Sequence, residues 1–547
     1  MLALLIISLF YPFVFVVPEP LPYAEWAHYH MIWLHDSHTN QIDIQNMFND
    51  YINHNIQFGI VNIDAGWTTD ISTFVFDPKK FPTVRNMLDG FREKNIRIVL
   101  WMTSMINIDS PNYQYAQEHG YLFNKTIKWW SGQGRLLNYF NVEAVNWWHS
   151  LIKQLIDTVG PIHAFKADGT DPYIIEVLDP LVTWERYRTA YYNDTFQVLR
   201  QLVGPDALVM TPGLKIFYKI RYLHAALVMS RPVDVYVDYS PRDIVFIGWV
   251  GDEDGTYDGL KTALRYMLES GRRGYVGFGS DIGGYRTDST AGKLGRTKEL
   301  FLRWTAIGAL SSFMENGGGG EHLPWNFDNE TTDIYRSWVN LHYKLVPYLY
   351  SEGTKVAIGH NGTLMRPCDD IEALLSHSYF LGPNIYVVPV LQDPIPGQSQ
   401  RLWLPKSSTN QWINYFNTSI AHKSHTFINE DTSSLYRIPI YIEQNSLIPM
   451  YDVEKNDSLN ALKFVLWGKI ISDKQQTTLF TRDGQQWLLE FNRFQRQLTV
   501  HFIRQYGSNE KHEWIWKFCQ YVNQQEMCTH TWLSLHDKAS VQLEFLV

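Results

Sequence analysis

Charged side chains follow several apolar runs in the first 310 residues of this chain. In the stretch AFKADGTD, an apolar run leads to Lys166 and Asp168 and then breaks at a glycine. The stretch GWVGDEDG places Asp252 in the same position after a later apolar run. A single aspartate at such a place often serves only as the N-cap of the next helix. Two carboxylates that face one another can instead divide the roles of proton donor and nucleophile or base.

The elements that would bring these carboxylates together alternate along the chain. From residue 28 to about 310, short apolar segments are separated by longer amphipathic ones, and in residues 142–159 Trp148, Ile152 and Leu155 share one face at helical spacing. The predicted strands are HYHMIWLHD, FGIVNIDAGW, IRIVLWMTS, HAFKADG, ALVMTPG, IVFIGWVGD, GYVGFGSDIGG and GALSSFMENG. Eight strands with helical connections predict a (β/α)8 TIM barrel of the α/β class, whose strand ends meet at one mouth.

Four regions are predicted along the chain. Residues 1–20 are interpreted as a signal peptide or membrane anchor, because the first 17 are almost wholly apolar and PEP follows them. Residues 21–355 form the catalytic barrel. Short segments in which apolar and polar residues alternate then predict an all-β region, with a proximal sandwich-like domain at 356–450 and a distal β-rich domain at 451–547.

The apolar N terminus indicates the secretory pathway, with the protein secreted, lumenal or membrane-anchored. Six glycosylation sequons are compatible with that location, at Asn124, Asn193, Asn329, Asn361, Asn417 and Asn456. Three cysteines exclude a disulfide framework and offer no zinc-binding spacing, although Cys519 and Cys528 could pair in an oxidising compartment. The sequence does not indicate an oligomeric state.

Composition excludes several classes of function. The chain of 547 residues has a formal charge of −9 and no basic patch, which excludes nucleic acid as a partner. No HExxH, P-loop or dinucleotide-binding motif is present, so we expect neither a metal nor a cofactor and assign the chemistry to side chains alone. Paired carboxylates across a barrel mouth suggest glycoside hydrolysis, with retention of configuration at a separation of about 5 Å. A carbohydrate is therefore the expected partner.

The stretch from about residue 28 to 450 resembles glycoside hydrolase family 31, the retaining α-glycosidases. The matching segments are, in order, VNIDAGW, IRIVLWMTS, AFKADG, VMSRP, WVGDEDG, GFGSDIGGY and RWTAIGALSSFMENG. Members usually carry an N-terminal β-sandwich before the barrel. Here the first barrel strand begins near residue 28, so that domain is expected to be missing.

The resemblance implies that Asp168 is the catalytic nucleophile and Asp252 the general acid/base. Asp254 and Asp258 are rivals for the acid role. The remaining implied positions bind sugar hydroxyls, line the pocket or flank the reacting pair: Asp64, Trp101, Lys166, Arg231, Trp249 and Asp281. A nearby cation would favour the ionised nucleophile, and a structural ion pair of Lys166 with Asp168 or Asp171 is the alternative interpretation.

The segment FMENGGGGEHLPW departs from the family pattern. Common α-glucosidases of the family carry Arg-Asn-His there, and that histidine binds a sugar hydroxyl. In this chain Glu315 stands at the arginine position and Gly317 at the histidine position. Either His322 reaches the site from the glycine-rich loop and binds substrate, or it is a surface residue. Asp171 also replaces the glutamate that many members carry.

These observations predict hydrolysis of a terminal α-linked hexose by double displacement. The glycine-rich loop favours a galactoside-type substrate, and an α-glucoside remains open. Two alternatives stay open as well. One is a scaffold protein with a catalytically decayed barrel, and the other is a transglycosylase that uses the same carboxylates with a sugar acceptor.

Overall fold

The computed structural model describes residues 20–35, 38–170, 182–212, 216–218, 235–237, 240–287, 290–359, 363–397, 399–452, 461–466, 474–492, 497–506, 514–522, 525–533 and 541–544. The predicted signal peptide or anchor therefore lies outside the described residues except for Pro20. Among the described helices, none combines the length and apolar character that crossing a membrane requires.

The first twelve strands belong to the barrel and to its excursions. They are β1 (Met31–Trp33), β2 (Ile60–Ile63), β3 (Arg97–Thr103), β4 (Met105–Asn107), β5 (Ile127–Trp129), β6 (Gly132–Leu136), β7 (Ala164–Asp168), β8 (Leu208–Pro212), β9 (Ile216–Tyr218), β10 (Val235–Val237), β11 (Val245–Trp249) and β12 (Glu315–Asn316). Seven of them form one parallel sheet in the order β11-β8-β7-β3-β2-β1-β12. Their near-continuous apolar runs suit strands that are covered on both faces.

Residues 279–281 close the ring. Gly279 forms a parallel bridge to Trp249 at one edge of the sheet, and Asp281 forms a parallel bridge to Glu315 at the other. The segment predicted as the seventh strand is thus present as two isolated bridges instead of a full strand. With it the barrel has eight members, and the predicted (β/α)8 fold is confirmed.

Helices connect the barrel strands and pack around them. They are α1 (Gln41–Asn53), α2 (Val84–Glu93), α3 (Pro111–Glu118), α4 (Val142–Val159), α5 (Trp184–Val203), α6 (Tyr257–Arg272), α7 (Lys298–Ala309) and α8 (Asn329–Gly359), with 3-10 turns at Glu25–His28 and Pro324–Asn326. Several begin at a side chain that accepts a hydrogen bond from the first turn: Asn40, Asn141, Thr183, Thr256 and Thr297. Such caps satisfy backbone N–H groups that have no partner inside the helix.

Two small antiparallel sheets lie in connections between the barrel strands. β4, β6 and β5 pair in that order between β3 and α4, and β9 pairs with β10 in the long connection after β8. The first of these sheets lies beside the end of β7, since a Cβ built on Gly169 would lie 3.5 Å from Cζ3 of Trp129.

After the barrel, every element in the described residues is a β-strand apart from the short helix α9 (Ile371–Leu375), as predicted. Its first strands are β13 (Met365–Pro367), β14 (Tyr379–Leu381), β15 (Ile385–Val387), β16 (Ser399–Leu404), β17 (Gln411–Asn414), β18 (Ala421–Lys423), β19 (Thr426–Asp431) and β20 (Ile440–Glu443). Phe380, Tyr386, Leu402 and Trp412 belong to a second hydrophobic core in this domain, separate from the main one.

Two four-stranded sheets complete the chain. Their strands are β21 (Leu447–Tyr451), β22 (Ala461–Leu466), β23 (Lys474–Phe480), β24 (Gln485–Asn492), β25 (Gln497–Gln505), β26 (Trp514–Val522), β27 (Gln525–Leu533) and β28 (Val541–Glu544). The domain boundary predicted at residue 450 falls inside β21. Cys519 and Cys528 lie opposite each other on β26 and β27, and their pairing as a disulfide stays a prediction.

A buried carboxylate ties the start of the barrel to these last sheets. Glu25 accepts a hydrogen bond from the hydroxyl of Tyr29 at 2.8 Å and from that of Tyr451 at 2.7 Å. Burial raises the pKa of Glu25, and the charge of Arg482 opposes that rise. The first turn of the barrel therefore needs residues from the far end of the chain to satisfy its own polar groups.

Candidate active site

Asp168 is the last residue of β7, and the barrel places it at the mouth. Thr103, the last residue of β3, lies opposite it in register. The indole N–H of Trp101 donates a hydrogen bond to Oδ2 of Asp168 at 3.2 Å. Gly169 follows with a positive φ of 74°, and a Cβ there would overlap Oγ1 of Thr103. Glycine is therefore required at the turn that ends the strand.

Lys166 points to the same side of β7 as Asp168, because side chains alternate along a strand. Its ammonium binds Oδ2 of Asp64 at 2.8 Å and lies 4.3 Å and 4.6 Å from the rings of Trp33 and Trp249. Burial lowers the pKa of Lys166, but the nearby carboxylates, Asp64 first, outweigh burial and raise that pKa above its ordinary value. A charged ammonium is thus kept in the interior, with Asp64 as its ion-pair partner.

Two carboxyls lie side by side where the barrel closes. Asp281 and Glu315 form a parallel bridge, and their residues are 2% and 0% exposed. Among the described residues, neither Oδ1 of Asp281 nor either carboxyl oxygen of Glu315 has a hydrogen-bond partner.

Burial raises the pKa of both carboxyls well above the ordinary value. The charge of Asp281 raises the pKa of Glu315 further, the charge of Asp252 raises that of Asp281, and the charge of Lys166 opposes both rises. Two buried like charges this close do not both ionise near neutral pH, so the pair retains at least one proton. We refer to Trp33, Asp281, Glu315 and Gly317 as the closure side of the mouth.

Trp33 ends β1 and fills the space beside Gly317. A Cβ built on Gly317 would overlap Cδ1, Cγ and Nε1 of the Trp33 indole. The indole also stacks on the ring of Tyr285, with centroids 6.1 Å apart. The family's histidine position is therefore occupied by bare backbone against an aromatic ring. Trp33 was not among the predicted site residues, because the first predicted strand ran on to Asp36 whereas β1 ends at Trp33.

His322 is buried inside the glycine-rich loop and is not a surface residue. Its Nδ1 lies 3.3 Å from Oδ1 of Asn316, and its Nε2 lies 3.1 Å from the carbonyl oxygen of Gly319. Burial lowers the pKa of His322 well below its ordinary value, and the charge of Arg296 lowers it further. The imidazole is therefore neutral and is held by its own loop.

Asp252 follows β11 and is half-buried. Its main-chain oxygen accepts a hydrogen bond from Arg286, and its charge contributes to the raised pKa of Asp281. The two rivals for the acid role lie further out. The side chain of Asp258 is 92% exposed and pairs with Lys261, while that of Asp254 is mostly exposed and lies 3.6 Å from Arg286. Asp252 is thus the least exposed of the three aspartates, and its assignment as general acid/base stays a prediction.

Arg231 and Asp171 lie outside the described residues, so their predicted positions stay predictions. Across the described part of the chain, no group of three or more His, Cys, Asp or Glu side chains is placed to hold a metal ion. The described site thus consists of carboxylates, one lysine and four indole or phenol rings: Trp33, Trp101, Trp249 and Tyr285.

Comparison with known proteins agrees with this architecture. The family model "Glycosyl hydrolases family 31 TIM-barrel domain" matches residues 21–352, and "Glycosyl hydrolase family 31 C-terminal domain" matches residues 363–448. An α-xylosidase of Emericella nidulans is 23% identical over 80% of this chain and 56% of its own length. "Alpha-glucosidase 2" of Bacillus thermoamyloliquefaciens is 23% identical over 90% of this chain and 61% of its own.

A solved structure has the same fold. The family 31 dextranase of Flavobacterium johnsoniae, complexed with glucose, superposes with a TM-score of 0.72 at 18% identity, covering 92% of this chain and 64% of that one. The chain therefore spans between half and two thirds of the length of these relatives. The matched barrel and C-terminal domain together establish the family: the chain belongs to glycoside hydrolase family 31.

Proposed function

We propose that the chain is a retaining α-glycosidase with Asp168 as nucleophile and Asp252 as general acid/base. The observation that carries the proposal is the placement of Asp168. Its carboxylate ends a barrel strand at the mouth, and it accepts the N–H of Trp101 at 3.2 Å. A hydrogen bond donated to a carboxylate favours the ionised form that attack requires.

In the first step an oxygen of Asp168 bonds to the anomeric carbon, and the bond from that carbon to the leaving oxygen breaks. Asp252 gives its proton to the leaving oxygen. In the second step Asp252 takes a proton from water, the water oxygen bonds to the anomeric carbon, and the ester to Asp168 breaks. Two inversions restore the α configuration.

The buried wall around Lys166 supplies the groups that bind sugar hydroxyls. Asp64 offers carboxylate lone pairs, and the Asp281–Glu315 pair, which keeps a proton, can donate as well as accept. The ammonium of Lys166 contacts both Asp64 and Trp249. Because Asp168 follows Lys166 by two residues on the same strand, sugar hydroxyls bound by this group are held in a fixed position relative to the nucleophile.

For the sugar, the named relatives support α-xylosides and α-glucosides, whereas the glycine-rich loop led to a galactoside-type expectation. We therefore propose a panel of α-xylosides, α-glucosides and α-galactosides, with the first two turned over fastest. The apolar run at residues 1–17 supports action in the secretory pathway.

The test uses azide rescue of two alanine variants. Asp168→Ala loses activity by a factor on the order of 10⁴, and azide then attacks the substrate directly to give the β-glycosyl azide. Asp252→Ala loses about 10²–10⁴-fold on substrates with poor leaving groups but little on dinitrophenyl glycosides, and azide traps its glycosyl-enzyme as the α-glycosyl azide.

Asp258→Ala is the matched control, because that exposed rival should leave kcat/KM unchanged. Full activity of Asp168→Ala would overturn the nucleophile assignment. Absence of turnover by folded wild type on the whole panel would support the scaffold alternative.

A further inference from the structure

Residues 252–255 form the segment that links β11 to α6 and carries the proposed general acid/base. Asp252, its first residue, is half-buried. Across the described residues, no hydrogen bond reaches the carboxyl of Asp252, and the contact made there goes to its main-chain oxygen. In that part of the chain, the direction of the carboxyl therefore depends on how the backbone of the segment is held.

Arg286 holds this segment through its main chain and its side chain. Its N–H donates to the main-chain oxygen of Glu253 at 2.9 Å, and its main-chain oxygen accepts the N–H of Gly255 at 2.8 Å. Its guanidinium donates to the main-chain oxygen of Asp252 and lies 3.6 Å from Oδ1 of Asp254. One residue thus contacts all four residues of the segment.

The segment is also packed closely between its neighbours. A Cβ built on Gly284 would lie 2.8 Å from the main-chain oxygen of Asp254 and from the nitrogen of Gly255. A Cβ built on Gly259, in the first turn of α6, would overlap the same oxygen of Asp254. These close approaches fix the far end of the segment. At its near end, the Arg286 guanidinium is the described side chain that binds the backbone of Asp252.

We propose that Arg286 is a positioning residue for the general acid/base. By binding the main-chain oxygen of Asp252, the guanidinium holds the peptide plane that follows this residue and limits the directions in which its carboxyl can point. A proton donor works only within hydrogen-bond reach of the leaving oxygen, and a displacement of about 1 Å can lower the rate about 100-fold. This inference rests on the proposed function and names the group that orients its acid/base.

The exposure of Arg286 separates this role from a role in folding. Its side chain is 58% exposed and that of Asp254 is 67% exposed, and ion pairs this exposed contribute little to stability. The main-chain bonds of Arg286 to the segment do not depend on its side chain. Removal of the guanidinium should therefore leave the unfolding midpoint unchanged and loosen only Asp252.

The experiment compares an alkyl α-glycoside, whose leaving group requires a proton, with the dinitrophenyl glycoside of the same sugar, whose leaving group does not. We expect Arg286→Ala to lower kcat/KM for the alkyl glycoside about 10–100-fold and to leave that for the dinitrophenyl glycoside within about twofold. Arg286→Lys, whose ammonium can still donate to a carbonyl oxygen, should lie closer to wild type. Guanidinium ion added to Arg286→Ala should restore part of the loss.

The second step of the reaction gives an independent readout. Attack of water on the glycosyl-enzyme needs Asp252 as base, whereas attack of azide needs no base. On the dinitrophenyl glycoside, kcat and KM should therefore fall together in Arg286→Ala. Azide should restore kcat and yield the α-glycosyl azide. A purely structural role of Arg286 would not produce this selective response.

Arg85→Ala is the matched control. Arg85 lies on α2, is 51% exposed, pairs with Asp89 and donates to the main-chain oxygen of Thr158. It thus makes the same kinds of side-chain contact as Arg286 at a place far from Asp252 in the fold, near the end of α4. It should change kcat/KM for neither substrate. An equal loss on both substrates in Arg286→Ala, or no loss on the alkyl glycoside, would overturn the proposal.

Failure of the proposed function has a different signature. If Asp252 is not the general acid/base, Asp252→Ala will not show a loss confined to poor leaving groups, and the assignment of Arg286 falls with it. If Asp252→Ala shows that pattern and Arg286→Ala does not, Asp252 keeps its role and only the assignment of Arg286 is wrong.

Discussion

The two sides of the barrel mouth differ in the burial and the contacts of their side chains. On the nucleophile side, formed by Trp101, Trp130 and Asp168, exposure increases from the buried Trp101 to Trp130, and the groups contact one another through single hydrogen bonds or ring edges. On the closure side, carboxyls are fully buried and the backbone at Gly317 lies directly against an indole. The first side carries the proposed nucleophile, and the second combines the bridge that closes the ring of strands with buried carboxyls proposed to bind sugar hydroxyls.

Lys166 is the group that both sides share. It stands on the nucleophile strand, yet its ammonium binds Asp64 and its charge reaches Asp281 and Glu315. Negative charge on the closure side is tolerated because the Lys166 ammonium offsets it. On the nucleophile side, the carboxylate of Asp168 accepts a hydrogen bond from the neighbouring Trp101. The difference predicts that mutations on the closure side lower the stability of the fold as well as substrate binding, whereas mutations on the nucleophile side lower turnover.

Removal of the shared cation should have the largest effect on stability. Lys166→Met leaves Asp64 and the closure-side carboxyls without their buried counter-charge, a change that costs about 3–5 kcal/mol in comparable buried pairs. Urea unfolding followed by fluorescence measures the loss. Lys153→Met, which removes an exposed pair with Asp157, should leave the midpoint unchanged. Equal midpoints for both variants would contradict the role given to Lys166.

A methyl group at the closure side should have an intermediate effect. Gly317→Ala forces a Cβ into the Trp33 indole, and such overpacking costs about 1–3 kcal/mol. Gly90→Ala is the matched change, because Gly90 lies inside α2 with open space around its Cβ position. That variant should gain about 0.5–1 kcal/mol. Thermal unfolding of both variants measures the two effects. Unfolding temperatures that shift with the same sign in Gly317→Ala and Gly90→Ala would contradict the close contact between Gly317 and Trp33.

The smallest effect concerns pH. The pKa of Glu315 is raised in the folded protein above its ordinary value of 4.5, so the folded state holds a proton that the unfolded state releases. Its contribution to stability is complete below pH 4.5 and is lost as pH rises through the raised folded value. Glu315→Gln should therefore match wild type at pH 4.5 and unfold at a higher temperature at pH 8.

The control for that comparison is Glu269→Gln, whose side chain pairs with Arg273 on the surface of α6. Its unfolding temperature should follow wild type at both pH values. A Glu315→Gln curve parallel to wild type would show that the closure-side pair is not a proton-holding pair.

Much of the architecture could be predicted because its causes are local. Apolar runs of strand length and helical spacing on the connections are patterns of a few neighbouring residues, and they predicted eight barrel members. The strand-end carboxylates followed from the same pattern, since a barrel gathers all its strand ends at one mouth. The last two predicted strands differed most: the seventh is present as two bridges, and the eighth is only Glu315–Asn316, with its first two predicted residues in α7.

The rest depends on contacts between distant segments. The partner of Lys166 is Asp64 on another strand, and no local pattern identifies it. Gly317 is needed because Trp33 lies against it, which requires the closing register to be known. In the pair Trp129 and Trp130, the turn alone decides which ring is buried. Of the two interpretations of His322, the surface one is wrong because packing of the glycine-rich loop buries the ring, and its contact with substrate stays a prediction.

The buried Glu25 has a consequence for the time course of synthesis. Its hydroxyl partner Tyr451 lies 426 positions further along the chain. At translation rates of roughly 5–20 residues per second, the first turn of the barrel waits roughly 20–90 s for that partner to emerge. During this interval the start of the barrel carries a carboxylate that favours water over the interior. We therefore expect the nascent barrel to stay protease-sensitive at its N-terminal edge until β21 has been made.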